Sequence, residues 1–198
     1  MIKKESSKRI IFRVLFTLVS IAINHFGSVL AGLIAFPLYL DSVMTIAVTA
    51  LCGFIPGLIC AICSNGLLFF FANTGILFTS CHISTVLVAY YIFSRQKKKY
   101  PKEDLVPADC FMWTGFIAAI TNSVLGDTIS TFVYGANTSI PQVDNAVQGI
   151  YVVIRSLPVA AYMGGTLTNF VDKLISATIS YFVYKLFKRL KHQNFHKF

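Results

Sequence analysis

Apolar residues along the chain come in long blocks rather than in the alternation of a half-buried strand, and turn-forming or basic residues separate the blocks. Six blocks stand out, over residues 10–35, 38–53, 56–73, 77–94, 110–134 and 159–187. A helix needs about 20 apolar residues (17–25) to cross the hydrocarbon core of a bilayer, and all but the second block offer a clear crossing. Pro37 disfavours helix in the residue before it, so 36–40 reads as an extended turn, with Asp41 as N-cap of a helix over 42–52. Pro56 suits the first turn of the next helix, and Asn73-Thr74-Gly75 closes it. Residues 95–109 form a polar linker that ends on Asp109, a cap for the fifth block. Residues 135–145 are turn-rich, and a shorter helical pattern over 146–157 is stopped by Pro158. The pattern predicts an all-α, single-domain integral membrane protein: a six-helix bundle occupying residues 1–198.

Charge fixes the expected orientation. All of the 17 Lys and Arg residues except Arg155 and Lys173 fall in three clusters: Lys3, Lys4, Lys8, Arg9 and Arg13; Arg95, Lys97, Lys98, Lys99 and Lys102; Lys185, Lys188, Arg189, Lys191 and Lys197. Cytoplasmic flanks of membrane helices collect Lys and Arg, so an even number of crossings should separate one cluster from the next. Fusing 38–72 into one kinked helix would leave three crossings before the second cluster and push it outside. Two short crossings keep every cluster inside, with both termini cytoplasmic. The connections 36–41, 73–79 and 135–158 then face outward, nearly free of basic residues.

Composition narrows the class further. A mean hydropathy of +0.69, with 56% hydrophobic and 13% charged residues, is too apolar for a soluble domain. The net charge of +9 sits beside the apolar blocks, so lipid headgroups rather than nucleic acid are its expected counter-charge. The basic start and apolar core of the first block resemble a signal peptide, but that core exceeds the 7–15 residues of one; it reads as a retained first helix. The odd count of five cysteines gives no disulfide framework. Cys60 and Cys63, three apart in an apolar helix, are expected to share a face and pack as small hydrophobes, and His82 beside Cys81 lacks the further ligands of a metal site. No zinc-hydrolase, nucleophile-elbow or P-loop motif occurs, so the sequence points to no enzyme, cofactor or metal.

Ionisable residues inside a bilayer are expensive and mark functional sites. Asp127, Asp172 and Lys173 are such residues, Lys173 about 18 Å above Lys185 and Asp127 about 26 Å above Cys110 at the helical rise. Neighbours in a helix point about 100° apart, so Asp172 and Lys173 are not expected to pair well; Lys173 would reach Asp127 if the fifth and sixth helices touch, either as a buried ion pair that fixes helix register or as a ligand contact. The sixth block carries a polar stripe of Tyr162, Gly165, Asn169, Asp172, Ser176 and Ser180. The fifth presents Ser123, Asp127, Ser130, Thr131 and Tyr134, with Asn122 beside them. Facing stripes would line a cavity or serve as interhelical glue. Asn24, His25 and Asn65 interrupt other apolar runs, His25 reading as a packing histidine. Arg155, the one outer cation, is placed to bind an anionic group or to pair with Asp144 or Asp41. Gly27, Ala31 and Ala35 repeat every four residues, a spacing for close helix approach. The expected solute-contacting set is Asn24, Tyr39, Asp41, Asn122, Asp127, Thr131, Arg155, Tyr162, Asn169 and Lys173.

Residues 37–66, from Pro-Leu-Tyr-Leu-Asp-Ser-Val-Met through Gly-Phe-Ile-Pro-Gly-Leu to Ser-Asn-Gly, together with 169–176 in a final helix that ends in basic residues, resemble a substrate-binding S component of energy-coupling factor (ECF) transporters. The resemblance extends over nearly the whole chain. It implies a six-helix bacterial plasma-membrane protein that captures a vitamin-like small molecule in an outward pocket, roofed by 36–41 and lined by the later helices. It also implies delivery through a membrane scaffold subunit driven by two cytoplasmic ATPases. In place of the family's Ala-x-x-x-Ala docking face the chain has Phe16-Thr17-Leu18-Val19-Ser20. A membrane sensor without transport activity is the competing reading.

Overall fold

The computed structural model describes residues 7–33 and 36–195; Ala35 of the small-residue repeat and Lys3, Lys4 and Lys197 of the basic clusters lie outside them. The described chain is all helical: α1 Ser7–Leu33, α2 Val43–Cys52, α3 Phe54–Ala72, a 3₁₀ turn Ile76–Phe78, α4 Thr79–Lys99, α5 Ala108–Asn122, α6 Thr128–Phe132, α7 Pro141–Ile154 and α8 Leu157–Phe195. Between α5 and α6 the backbone stays helical but widens to π-type hydrogen bonding over Ser123–Asp127.

Among the described residues four stretches are long and apolar enough to cross a membrane: Arg9–Leu33, Phe54–Ala72, Ile76–Lys99 and Ala108–Phe132. Their large apolar side chains point outward, among them Phe26, Phe70, Phe71, Trp113 and Phe132, as lipid-facing positions do. The second expected span is different. α2 has only 10 residues, about 15 Å of helix against roughly 30 Å of hydrocarbon. It packs against α1, α3, α4 and α8, and of its residues only Leu51 escapes full burial. This explains its sequence: a helix apolar all round is an interior one. α8, at 39 residues, is longer than any of the four crossing stretches but carries Asn169, Asp172, Lys173, Ser176 and Ser180 on its buried side.

Several expected boundaries move for local reasons. Asp41 does not cap α2: Ser42 holds the N-cap position without a side-chain bond, because the Asp41 carboxylate is engaged by Lys173 and His82. Pro107 precedes α5, and Asp109 lies in its first turn, where its side chain accepts from the Cys110 amide at 2.8 Å. α4 continues through the lysine triplet, leaving only 100–107 between α4 and α5. The pattern over 146–157 is shifted: α7 begins at Pro141 and ends at Ile154 on a left-handed Arg155. Pro158 stops nothing, since it sits in the first turn of α8, where its missing N–H has no helical partner to lose. Cys60 is buried while Cys63 is exposed, so the two do not share an environment.

The bundle has two distinct ends. At one, Phe16 meets the Phe187 ring at 4.6 Å, Lys97 donates to the Ala50 carbonyl, Lys188 donates to that of Asp104, and the Tyr184 hydroxyl accepts from the Val106 amide. The first turns of α1 and the ends of α2, α4 and α8 thus gather there with the basic residues. Phe93, Phe111 and Tyr184 form an aromatic core beneath them. The connections 36–42, 73–78 and 133–140 lie at the other end.

α5 and α8 make the most extensive helix contact, and Gly115 allows it: a Cβ there would stand 2.7 Å from the Lys173 carbonyl oxygen and 2.8 Å from Ala177 Cβ. Gly115→Ala is therefore expected to lower stability by about 1–3 kcal/mol through overpacking. Gly66→Ala, with open space at its Cβ, should be neutral or mildly stabilising. Thermal unfolding of the two detergent-solubilised variants against the parent checks the contrast.

Candidate functional site

Because α2 is short, the bundle interior beyond its first residue is not filled by helix. A partly open cavity occupies that space. It is bounded below by Asp41 and Ser42, on one side by Asn65 and Leu68 of α3 and by Cys81, His82 and Thr85 of α4, and on the other by Gly165, Asn169 and Lys173 of α8. The π-type segment contributes Gly126 and Asp127, and α6 contributes Ser130. The outer connections close it, with Tyr39, Thr74, Phe78 and Thr138, and α7 adds Val143 and Val147.

The floor of the cavity is an ionic network. The Lys173 ammonium donates to Asp172 Oδ2 at 2.7 Å, Ser42 Oγ at 2.9 Å and Asp41 Oδ1 at 3.3 Å. An ammonium has three N–H donors, and all three are engaged. The other Asp172 oxygen accepts the backbone amides of Tyr39 and Leu40, at 3.0 and 2.7 Å. Those two bonds hold Leu40 in the left-handed region (φ 48°), a conformation that costs a β-carbon residue about 1–2 kcal/mol. Asp41 Oδ2 takes His82 Nε2 at 3.3 Å. Asp172 and Lys173 do pair, contrary to expectation: the long lysine stem curls back across the 100° offset, while Lys173 and Asp127 form no ion pair among the described residues.

Asp127 sits apart from this network, 3% exposed, and accepts one hydrogen bond, from Thr166 at 2.9 Å. Its carboxylate lies against Gly165, where a Cβ would overlap it. Asn122 is held by Ser84 and Thr85 of α4. On α3, the Asn65 amide nitrogen donates to Thr79 Oγ1 at 2.6 Å and faces the Ile76 carbonyl at 3.4 Å. A carbonyl can only accept, which fixes the nitrogen on that side and leaves Asn65 Oδ1 buried without a partner. His82 Nδ1 is likewise buried without a partner.

Of the expected solute-contacting set, Tyr39, Asp41, Asn122, Asp127, Asn169 and Lys173 converge on the cavity. Asn24, Thr131, Arg155 and Tyr162 do not line it. Asn24 is a structural staple: its nitrogen donates to Thr45 and Ser64, and its oxygen accepts the Met44 amide, joining α1, α2 and α3. Tyr162 shares a hydrogen bond with Thr128 at 2.7 Å, linking α8 to α6. Arg155 is exposed beyond α7, and neither proposed partner faces it: Asp144 accepts from the Thr138 amide and hydroxyl, and Asp41 is taken by Lys173. His25 stacks near the Phe71 ring. The residues that sequence reasoning left out are Ser42, Asn65, Thr74, His82, Thr85, Ser130 and the wall over 136–147. Asn65 and His82 had a signal as polar residues in apolar runs, Ser130 as part of the polar stripe of the fifth block and Ser42 within the motif over 37–66; Thr74, Thr85 and the wall over 136–147 stood out by none of these. Among the described residues no group of three or more His, Cys, Asp or Glu could hold a metal ion.

No protein-family model, curated protein or solved structure matches the chain, so the reading rests on the side chains themselves. They line a chamber in an all-helical protein with, among the described residues, four stretches long and apolar enough to cross a membrane.

Removing Lys173 should reveal how much the floor depends on it. Lys173→Met leaves the Asp41 and Asp172 carboxylates buried without their cation and should cost about 3–5 kcal/mol. Adding Asp172→Asn, which removes one stranded charge and keeps the acceptor for Tyr39 and Leu40, should recover part of that loss. Thermal unfolding of the single and double variants measures the difference.

Proposed function

We propose that this protein is the solute-capturing S component of an ECF-type uptake transporter in a bacterial plasma membrane. In this reading six segments occupy the bilayer, α2 as a short interior one, and both termini are cytoplasmic. A vitamin-like small molecule enters the chamber from outside. A membrane scaffold subunit and two cytoplasmic ATPases complete the transporter, and the subunit performs no chemistry on its solute. The observation that carries the reading is the position of the chamber. It lies at the end of the bundle remote from the basic clusters and is closed by the three connections that lack them. Because Lys and Arg are retained on the cytoplasmic side, that end faces outward, as a capture site requires. The motifs over 37–66 and 169–176 agree with it.

Two measurements test the proposal. A panel of B vitamins and nucleosides, screened by thermal shift on the purified protein, should contain a member that adds about 2.7 kcal/mol of stability at one hundred times its dissociation constant; silence across the panel counts against solute capture. A cysteine introduced at Tyr100, in a chain whose native cysteines are replaced by alanine, should resist an impermeant maleimide in intact cells and react after permeabilisation. Labelling in intact cells would invert the topology and refute outward capture.

A further inference from the structure

The charge on the chamber wall is lopsided, whereas its unpartnered hydroxyl, Thr74 Oγ1, can donate or accept. Its cation is saturated: the three Lys173 donors are spent on Asp172, Ser42 and Asp41, so Lys173 has none left for an incoming anion. The Asn122 amide nitrogen gives one of its two N–H groups to Thr85. The acceptors are not saturated. Asn65, fully buried, points Oδ1 at no partner, and its orientation is fixed by the Ile76 carbonyl. His82, with Nε2 directed at Asp41, leaves Nδ1 without a partner, an acceptor in the neutral ring and a donor in the protonated one. Asp127 has one hydroxyl donor and no cationic partner among the described residues. All three line the same cavity, and the chamber end holds three buried carboxylates (Asp41, Asp127 and Asp172) against a single buried ammonium.

A buried acceptor without a donor loses the hydrogen bond it had with water, and a buried carboxylate without a counter-charge loses more. The vacancy at Asp127 and Asn65 Oδ1 is thus for a positively charged group that carries N–H donors. On the reading of the chain as a solute-capturing subunit, we infer that its solute is a nitrogen cation bearing N–H groups, an amine, amidine or protonated amino-heterocycle. The cation lies at Asp127, and a neighbouring donor reaches Asn65 Oδ1. Three features fit. Gly165 leaves the Asp127 carboxylate room at the wall, since a Cβ there would overlap it. Phe78, Leu68, Val143 and Val147 give the rest of the solute an apolar surround. The π-type widening places both Gly126 and Asp127 on the cavity wall.

Whatever molecule the protein carries out of the membrane supplies the first test. The full-length protein is purified from membranes in detergent, and the small molecules released on denaturation are identified by mass spectrometry. In parallel, thermal shift is recorded with benzamidine, benzamide and benzoate, which share a shape and differ in charge. The expected result is a retained molecule that is cationic at neutral pH, with stabilisation by benzamidine over the other two. Asp127→Asn should weaken retention about 30-fold or more, Asn65→Leu should weaken it less, and Arg155→Gln, outside the cavity, should leave it unchanged. A neutral or anionic solute, or a cation that Asp127→Asn retains undiminished, overturns this inference and leaves solute capture standing. A protein that retains nothing and is stabilised by none of the three probes overturns both. If Asp127→Asn does not fold, the charge of the solute released from the parent protein decides.

Discussion

One buried ammonium organises the chamber end of this molecule. Lys173 sits in the last helix, is almost wholly buried, and reaches two carboxylates and a hydroxyl that come from its own helix and from residues 41–42. An isolated charge in such surroundings would be prohibitive, so the pairing dictates position. α8 must lie where its Lys173 meets the start of α2, and Asp172 must face the loop whose amides it accepts. His82 then joins α4 to the same carboxylate as Lys173, that of Asp41. A buried ion pair adds little net stability compared with apolar packing, but here it excludes other registers of α8 against α2. A shift of one turn, about 5.4 Å, would break every one of these contacts.

The chamber is a consequence of helix length. α2 ends among the aromatic core at the basic end and begins at Val43, about 15 Å away, so it fills only half of the bundle's interior. In a soluble protein such a space would collapse or fill with side chains. Here the helices around it are held apart by the ionic floor beneath and by the α7 wall above, where Gln142 ties to the Gly32 carbonyl of α1. Asp144 stabilises the turn that leads into that wall. Fold and site therefore share their cause: the short helix makes the room, and the charges at its first residues furnish it.

How much of this could be read from the sequence follows from the range of the interactions involved. The long apolar blocks, the breaks at Asn73 and 135–140, and the basic flanks are local or nearly local signals, and they locate α1, α3, α4, α5 and α8. The role of α2 was hidden, because an apolar 10-residue run reads the same whether it faces lipid or protein. Asp127, Asn169 and Lys173 declared themselves by standing in apolar surroundings. Which partner each would choose did not follow, since a lysine stem of four carbons reaches a neighbour as easily as a residue on another helix. Asn24 shows the same limit from the other side. Its sequence signature equals that of Asn65, yet α2 and α3 saturate its polar atoms, while Asn65 is left with an oxygen to spare.

That contrast bears on what separates glue from site in a helical bundle. Asn, Ser and Thr serve both purposes, and membrane helices use them freely to hold one another. The distinguishing property is saturation rather than residue type or burial. Asn24, Ser180 and Tyr162 are satisfied within the protein and have nothing to offer a solute. Asn65 and Asp127 are buried but remain short of donors, and His82 Nδ1 has no partner. The π-type segment at Ser123–Asp127 belongs to the same pattern. Such bulges forgo regular hydrogen bonding and recur at functional sites, and this one lies where an otherwise regular span turns a carboxylate toward open space. A chain selected only for packing would close that segment into α-helix and pair the acid with a cation; among the described residues the structure does neither, and both features lie at one place on the chamber wall.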